Sequence, residues 1–173
     1  AIQVSHRALE INSNYSEAFY NLGLALQEQG ELDQAIQAYH RALDVNPSYS
    51  EAYNNLGIAL KEQENLDDAI QAYHRALAIS PSYSEAYNNL GIALKEQGEL
   101  DQAIQVYHRA LEINPNYSEA YNNLGNVLKE QGKLDDAVLA YRSALGINPD
   151  YSEAHNNLGL VLLLQGNFSS GWR

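Results

Sequence analysis

Cysteine and methionine are absent from these 173 residues, tryptophan occurs once, phenylalanine twice and proline four times. Without cysteine there can be neither disulfides nor thiolate metal sites, and the redox compartment leaves no mark. Cations are also scarce, with ten Lys plus Arg against 22 Asp plus Glu for a net charge of −12. A surface of that sign repels phosphate backbones and anionic lipid, which sets aside nucleic acid and membrane surfaces as partners. No apolar run approaches the roughly 18 residues of a membrane span. No basic-then-apolar signal peptide opens the chain, so a soluble cytoplasmic protein is expected. The missing initiator methionine suggests a piece excised from a longer chain.

What the sequence has instead is periodicity. Shifting it along itself by 34 residues brings Gly23, Gly57, Gly91, Gly125 and Gly159 into one column, Pro47, Pro81, Pro115 and Pro149 into another, and Tyr39, Tyr73, Tyr107 and Tyr141 into a third. Self-similarity at this period indicates a solenoid whose units bury their apolar faces only by stacking on one another. With 45% hydrophobic residues the chain can build a sizeable core, but that core runs along an axis.

Leu90-Gly91, Leu94, Ala103, Tyr107, Ala110 and Pro115 together resemble the signature of the tetratricopeptide repeat. The Leu-Gly pair recurs five times and the Ala/Tyr/Ala/Pro set four times, so the resemblance spans almost the whole chain. Its expected aromatic before Leu-Gly is Phe19, Tyr53, Tyr87 and Tyr121, with His155 the departure. The resemblance implies an all-α, right-handed α-α superhelix of tandem antiparallel helix pairs. Residues 1–15 would be the second helix of a truncated repeat and 16–49, 50–83, 84–117 and 118–151 full repeats. Residues 152–173 would supply the first helix of a further repeat and the start of its second, including Phe168 and Trp172.

Within a repeat the local signals are consistent. A polar residue precedes a glutamate by three in Asn14-Tyr-Ser-Glu17, Ser48-Tyr-Ser-Glu51, Ser82-Tyr-Ser-Glu85, Asn116-Tyr-Ser-Glu119 and Asp150-Tyr-Ser-Glu153. That spacing predicts a capping box at each first helix. The first helix of the second full repeat is expected to run to about Gln63, with Tyr53, Leu56 and Leu60 as its buried stripe. Leu66 to Ile79 is expected to form the second helix, with Asp67 and Asp68 in its first turn and Arg75 in its last, complementing the helix dipole. Gly57 and its copies lie inside the first helix, where glycine costs roughly 1 kcal/mol against alanine, so a close neighbour must need the missing side chain. Gly30, Gly98, Gly132 and Gly166 end the first helices, where a left-handed residue is wanted. Glu64 stands in that column, and the family geometry implies a left-handed backbone there too.

No catalytic chemistry emerges. His6, His40, His74 and His108 form a column, but residues a full repeat apart sit on stacked helices about 10 Å from one another. Zinc needs its ligands about 2 Å from one ion. The carboxylates are explained as caps and solvated faces, and no nucleophile elbow, phosphate loop or zinc motif is present. No metal or cofactor is called for, and the fragment is not expected to be an enzyme. The thirteen tyrosines fall in repeat columns with Tyr20 the one extra. Stacking platforms for nucleic acid also need a basic groove, which is lacking.

One polar stripe is specific. Glu51, Asn54, Asn55, Ile58, Lys61 and Glu62 share one side of a first helix, and the stripe recurs as Asn88, Asn89, Ile92 and Lys95, as Asn122, Asn123, Asn126 and Lys129, and as Asn156 and Asn157. Asparagine is a poor helix former, so a doubled asparagine in mid-helix runs against local propensity, as functional or tertiary demands do. The family implies that first helices line a concave groove receiving an extended peptide or partner helix. A carboxamide both donates and accepts, so a ladder of them can hold a peptide backbone. The two columns are adjacent, and one could cross-link repeats while the other binds. A carboxylate clamp of the chaperone-binding kind would need Lys and Arg where Glu51, Asn54 and Ile58 stand. The asparagine groove is more similar to the repeat region of the O-linked N-acetylglucosamine transferases. The expected function is a protein-binding scaffold, or alternatively the substrate-recruiting arm of such a glycosyltransferase, with end-to-end self-association through exposed repeat ends a third possibility. At the C-terminal end Leu160, Leu163 and Leu164 replace the isoleucine, lysine and glutamate of the stripe, so the groove turns apolar there.

Overall fold

The computed structural model describes residues 15–166, and the expectations for residues 1–14, His6 and Asn14 among them, and for Phe168 to Trp172 lie outside the described residues. Among the described residues there are nine α-helices and no strand: α1 Ser16–Glu28, α2 Leu32–Val45, α3 Ser50–Glu62, α4 Leu66–Ile79, α5 Ser84–Glu96, α6 Leu100–Ile113, α7 Ser118–Glu130, α8 Leu134–Ile147 and α9 Ser152–Leu164. Three-residue turns join each first helix to its second, which makes the two antiparallel neighbours. The fold is an all-α solenoid of helix pairs. The chain divides into two compact units, Ala1–Ala93 and Leu94–Arg173, and the division falls within α5.

In the first unit the core is a column of small and aromatic side chains. Ala35, Tyr39 and Ala42 on α2, and Ala69, Tyr73 and Ala76 on α4, are fully buried. The helix-interior glycines explain how a tyrosine fits. A Cβ built on Gly23 would stand 2.5 Å from Tyr39 Cε1, and one on Gly57 2.6 Å from Tyr73 Cε1. The close neighbour anticipated from the sequence is thus the tyrosine ring of the same repeat's second helix. The second unit repeats the arrangement, with Gly125 facing Tyr141 at 2.6 Å.

First helices end in Schellman turns. In α3 the Glu64 N–H donates to Lys61 O at 2.9 Å and the Asn65 N–H to Leu60 O at 3.0 Å, the paired bonds that a left-handed residue closes. Glu64 has φ +63°, the only non-glycine residue with positive φ among the described residues, while Gly30, Gly98, Gly132 and Gly166 lie between +75° and +86°. A side chain at this φ costs roughly 1 kcal/mol that glycine avoids. Glu64→Gly is therefore expected to stabilise the protein by somewhat less than that, because glycine also loosens the unfolded chain, and so to raise the denaturation midpoint. Hydrogen exchange around Gln63 to Leu66 should slow in the variant. A lower midpoint would refute the assignment.

Two expectations at helix ends are corrected. The capping boxes expected at α3, α7 and α9 do not form: the residues capping these helices are Tyr49, Tyr117 and Tyr151, with no side-chain cap bond. Ser48 lies one residue too early to reach the orphan N–H groups, and its own backbone N–H donates to Asn46 Oδ1 at 3.1 Å. Ser50 Oγ donates to Glu51 Oε2 at 2.9 Å, which leaves the glutamate as a first-turn anion on the positive end of the helix dipole. Asn116 and Asp150 are likewise held by Asn114 and Asn148. Arg75 is not in the last turn of α4, whose last turn holds no basic residue.

Neighbouring repeats are also tied by a ladder that sequence reading missed. The Gln63 Nε2 donates to Asp33 Oδ1 at 2.6 Å, Gln131 Nε2 to Asp101 Oδ1 at 2.8 Å and Gln165 Nε2 to Asp135 Oδ1 at 2.7 Å. Each links the end of a first helix to the first turn of the preceding second helix.

Candidate functional site

The asparagine stripe resolves into two columns with different surroundings. In the first unit Asn54 is buried at 4% exposure, while Asn55 and Asn89 are half-buried. The Asn89 Nδ2 donates to Asn54 Oδ1 at 3.0 Å, from one repeat to the one before it. Asn54 Nδ2 points to Asn55 Oδ1 at a long 3.4 Å. One repeat earlier the same rung is made with a different residue. Tyr20 occupies the place of Asn54, and Asn55 Nδ2 donates to its hydroxyl at 2.8 Å. The extra tyrosine of the sequence is thus the first rung of the ladder in the described residues. Its ring lies 4.9 Å from Tyr49 and 6.1 Å from Tyr39. Burial raises the Tyr20 pKa, the Glu51 charge adds to the shift, and the Asn55 bond partly offsets it.

In the second unit the rung is Asn157 Nδ2 to Asn122 Oδ1 at 3.1 Å. Asn122 is fully buried and also donates to Glu153 Oε1 at 2.9 Å. Asn126 accepts from the Tyr141 hydroxyl at 2.8 Å, and Lys95 stands 3.9 Å from Glu130. Asn88, in the first column, is buried at 6%, whereas Asn156, on the last described helix, is exposed. Asn123 is half-buried, as are Ile58, Ile92, Lys61 and Lys129. Leu160 and Leu164 are exposed at 47% and 60%.

Asn54 and Asn122 of the first column therefore cross-link repeats, and their carboxamides are spent on the fold. In the second column one N–H of each rung is used likewise. The Oδ1 atoms of Asn89 and Asn157 have no protein partner among the described residues, and both residues are half-exposed. Adjacent columns could not be told apart from sequence, because both lie on the flank where successive first helices meet. His40, His74 and His108 are all exposed, and among the described residues no group of three His, Cys, Asp or Glu could hold a metal ion. Among the described residues no helix is long and apolar enough to cross a membrane.

Tetratricopeptide-repeat family models match residues 20–84, 72–105, 93–132 and 125–166. The chain belongs to the tetratricopeptide-repeat family. Arrays of this family are in general non-catalytic, and a protein-interaction scaffold is the role that the array here shares with them. Solved structures of the same fold include YrrB, described as a TPR protein with an unusual peptide-binding site, at 24% identity over 99% of this chain and 89% of that one, with a TM-score of 0.80. MamA matches at 29% identity over 87% of this chain and 88% of its own, TM-score 0.80. PilF of Pseudomonas aeruginosa matches at 24% identity over 90% and 71%, TM-score 0.83. No significant match is found among curated protein sequences.

Proposed function

We propose that this TPR array binds an extended polypeptide along the asparagine stripe of its first helices. The half-exposed second column, Asn55, Asn89, Asn123 and Asn157, would contact the peptide backbone. Ile58, Ile92 and the flanking Lys61, Lys95 and Lys129 would contact its side chains, beside Asn126. The observation that carries this reading is the pair of carbonyls on Asn89 and Asn157. They stay without a protein partner while Asn54 and Asn122 behind them are buried and bonded. Half-buried carboxamides held in place by one rung bond are preorganised acceptors for peptide N–H groups, which lowers the ordering cost of binding. Asn54, Asn88 and Asn122 serve by fixing the second column, and exposed Asn156 extends the face.

The protein partner is one that offers unpaired backbone, and a cytoplasmic location belongs to the same reading. As the recruiting arm of a larger glycosyltransferase the array would present substrate polypeptide by these contacts, a reading favoured by the asparagine columns. The full-length gene decides between the two. End-to-end self-association through the repeat ends would appear as concentration-dependent light scattering.

A fluorescent peptide selected from a random display library provides the probe. Ile58→Asp changes a half-exposed stripe position and should weaken that peptide severalfold, with stability altered by no more than about 0.5 kcal/mol. Asn54→Ala should instead lower stability by about 1–3 kcal/mol, since it orphans the Asn89 donor. Undiminished binding by Ile58→Asp would sink the proposal.

A further inference from the structure

The opposite side of α3 carries a second surface. Tyr53, Leu56 and Leu60 face away from the asparagine stripe and, with Ala72 of α4, floor an open cleft of about 310 Å³. Arg75 of α4 and His40 of the preceding second helix, α2, stand at its rim with Gln71 and Asp68. The Asp68 carboxylate is already engaged, because Asn65 Nδ2 donates to its Oδ2 at 2.7 Å.

Arg75 differs from its counterpart in the second unit. Arg109 is ion-paired with Glu112, three residues on along the exposed helix face. The equivalent of Glu112 beside Arg75 is Ala78, and among the described residues no carboxylate lies in ion-pairing range of Arg75. The guanidinium is exposed at the edge of an apolar floor in a chain that otherwise carries a net charge of −12. A similar cleft of about 230 Å³ occurs one repeat earlier, floored by Phe19, Leu22 and Leu26 with Arg41 at its edge.

We propose that the cleft between α3 and α4 takes the C-terminal residue of a partner polypeptide, an apolar side chain lying on Tyr53, Leu56 and Leu60 and the α-carboxylate meeting Arg75 and His40. Two features select this occupant. The volume is at the lower end of ligand cavities, about 300–1,000 Å³, enough for one large side chain and its carboxylate but not for a helix. The unpaired cation at the edge of that floor matches a carboxylate carried by the same residue, and Arg meets carboxylates with two parallel hydrogen bonds. His40, from the adjacent repeat, offers a further ring N–H. This surface lies on the other side of α3 from the stripe, so it stands or falls independently of it.

The test uses a short Gly/Ser peptide ending in leucine, labelled at its N-terminus, as free acid and as C-terminal amide, in fluorescence anisotropy against the whole chain. The free acid is expected to bind, and the amide about tenfold more weakly, because a charge-assisted bond is lost. Arg75→Gln should produce a similar loss. Ala78→Glu, at an exposed position, should do the same by giving Arg75 the partner that Arg109 has, whereas Arg109→Gln should leave binding unchanged. Helical circular dichroism identifies any variant that fails to fold. Equal binding of acid and amide, no effect of Ala78→Glu in the folded protein, or no binding of the free acid at about 1 mM would each overturn the proposal.

Discussion

Raised above pH 10, the protein is expected to unfold cooperatively, with loss of helix tracking the appearance of tyrosinate absorbance. The ordinary tyrosine pKa is near 10. Tyr39, Tyr107 and Tyr141 are fully buried at the repeat cores, and their pKa values are raised, in each case first by burial and then by nearby acidic groups: Tyr20, Glu62 and Glu28 about Tyr39, Glu96 beside Tyr107, and Glu153 beside Tyr141. Tyr49, half-buried between repeats, is pushed up to about 12, again by burial first. Hydrogen bonding reinforces the direction, since the Tyr39 and Tyr141 hydroxyls donate to Gln27 Oε1 and Asn126 Oδ1 and a phenolate could not.

Below pH 10 both folded and unfolded chains hold neutral phenols, and this contribution to stability is complete. Between pH 10 and the raised folded values the unfolded chain releases protons that the folded one keeps, so stability falls as pH rises. Each such tyrosine removes about 1.4 kcal/mol per pH unit in that window. For the second unit, with Tyr107 and Tyr141, the slope is roughly 3 kcal/mol per unit. Set against a usual stability of about 5–15 kcal/mol, unfolding should be reached within a few pH units of 10. A smooth titration of all tyrosines near pH 10 with circular dichroism unchanged would contradict it.

How much of this was legible in the sequence depends on whether a feature announces itself within one repeat. Gly57 did, because a glycine recurring inside a helix violates local propensity and so demands a neighbour, and Tyr73 is that neighbour. Glu64 did as well, since it departs from a glycine column and yet takes up the left-handed backbone. The capping boxes misled because their spacing is right while the helix begins two residues later than the supposed cap, in a turn governed by the asparagine before the proline. The split of the asparagine pair into a buried and a half-exposed column was not legible. It depends on the preceding repeat's flank, and one residue of shift on a helix turns a side chain by only 100°. The glutamine ladder was missed for a related reason. Gln63 and Asp33 are each ordinary polar residues, and only stacking brings them together.

Gly57→Leu is expected to be among the most destabilising single substitutions in the first unit. Even a bare Cβ at this position would lie 2.6 Å from Tyr73 Cε1 and 2.9 Å from Cδ1 and Cζ, closer than carbon atoms tolerate. The ring has little room to retreat, because Tyr73 is fully buried with Ala69 and Ala76, also fully buried, on either side of it along α4. Strain must then be relieved by moving α3 away from α4, which opens the core that both helices share. Overpacking of this kind typically costs about 1–3 kcal/mol, occasionally more, and a branched side chain facing an immobile ring belongs to the upper part of that range. Gly57→Ala separates the contributions, since it gains about 1 kcal/mol of helix propensity while keeping the clash, and it should still lower the urea midpoint. Tyr73→Leu alone should destabilise by leaving a cavity. Combined with Gly57→Ala, however, the methyl group enters vacated space, so the double variant should be more stable than the two single effects added together. Strict additivity, or a Gly57→Leu protein with an unaltered midpoint, would show that ring and glycine are not the contact that sets the spacing of the helices.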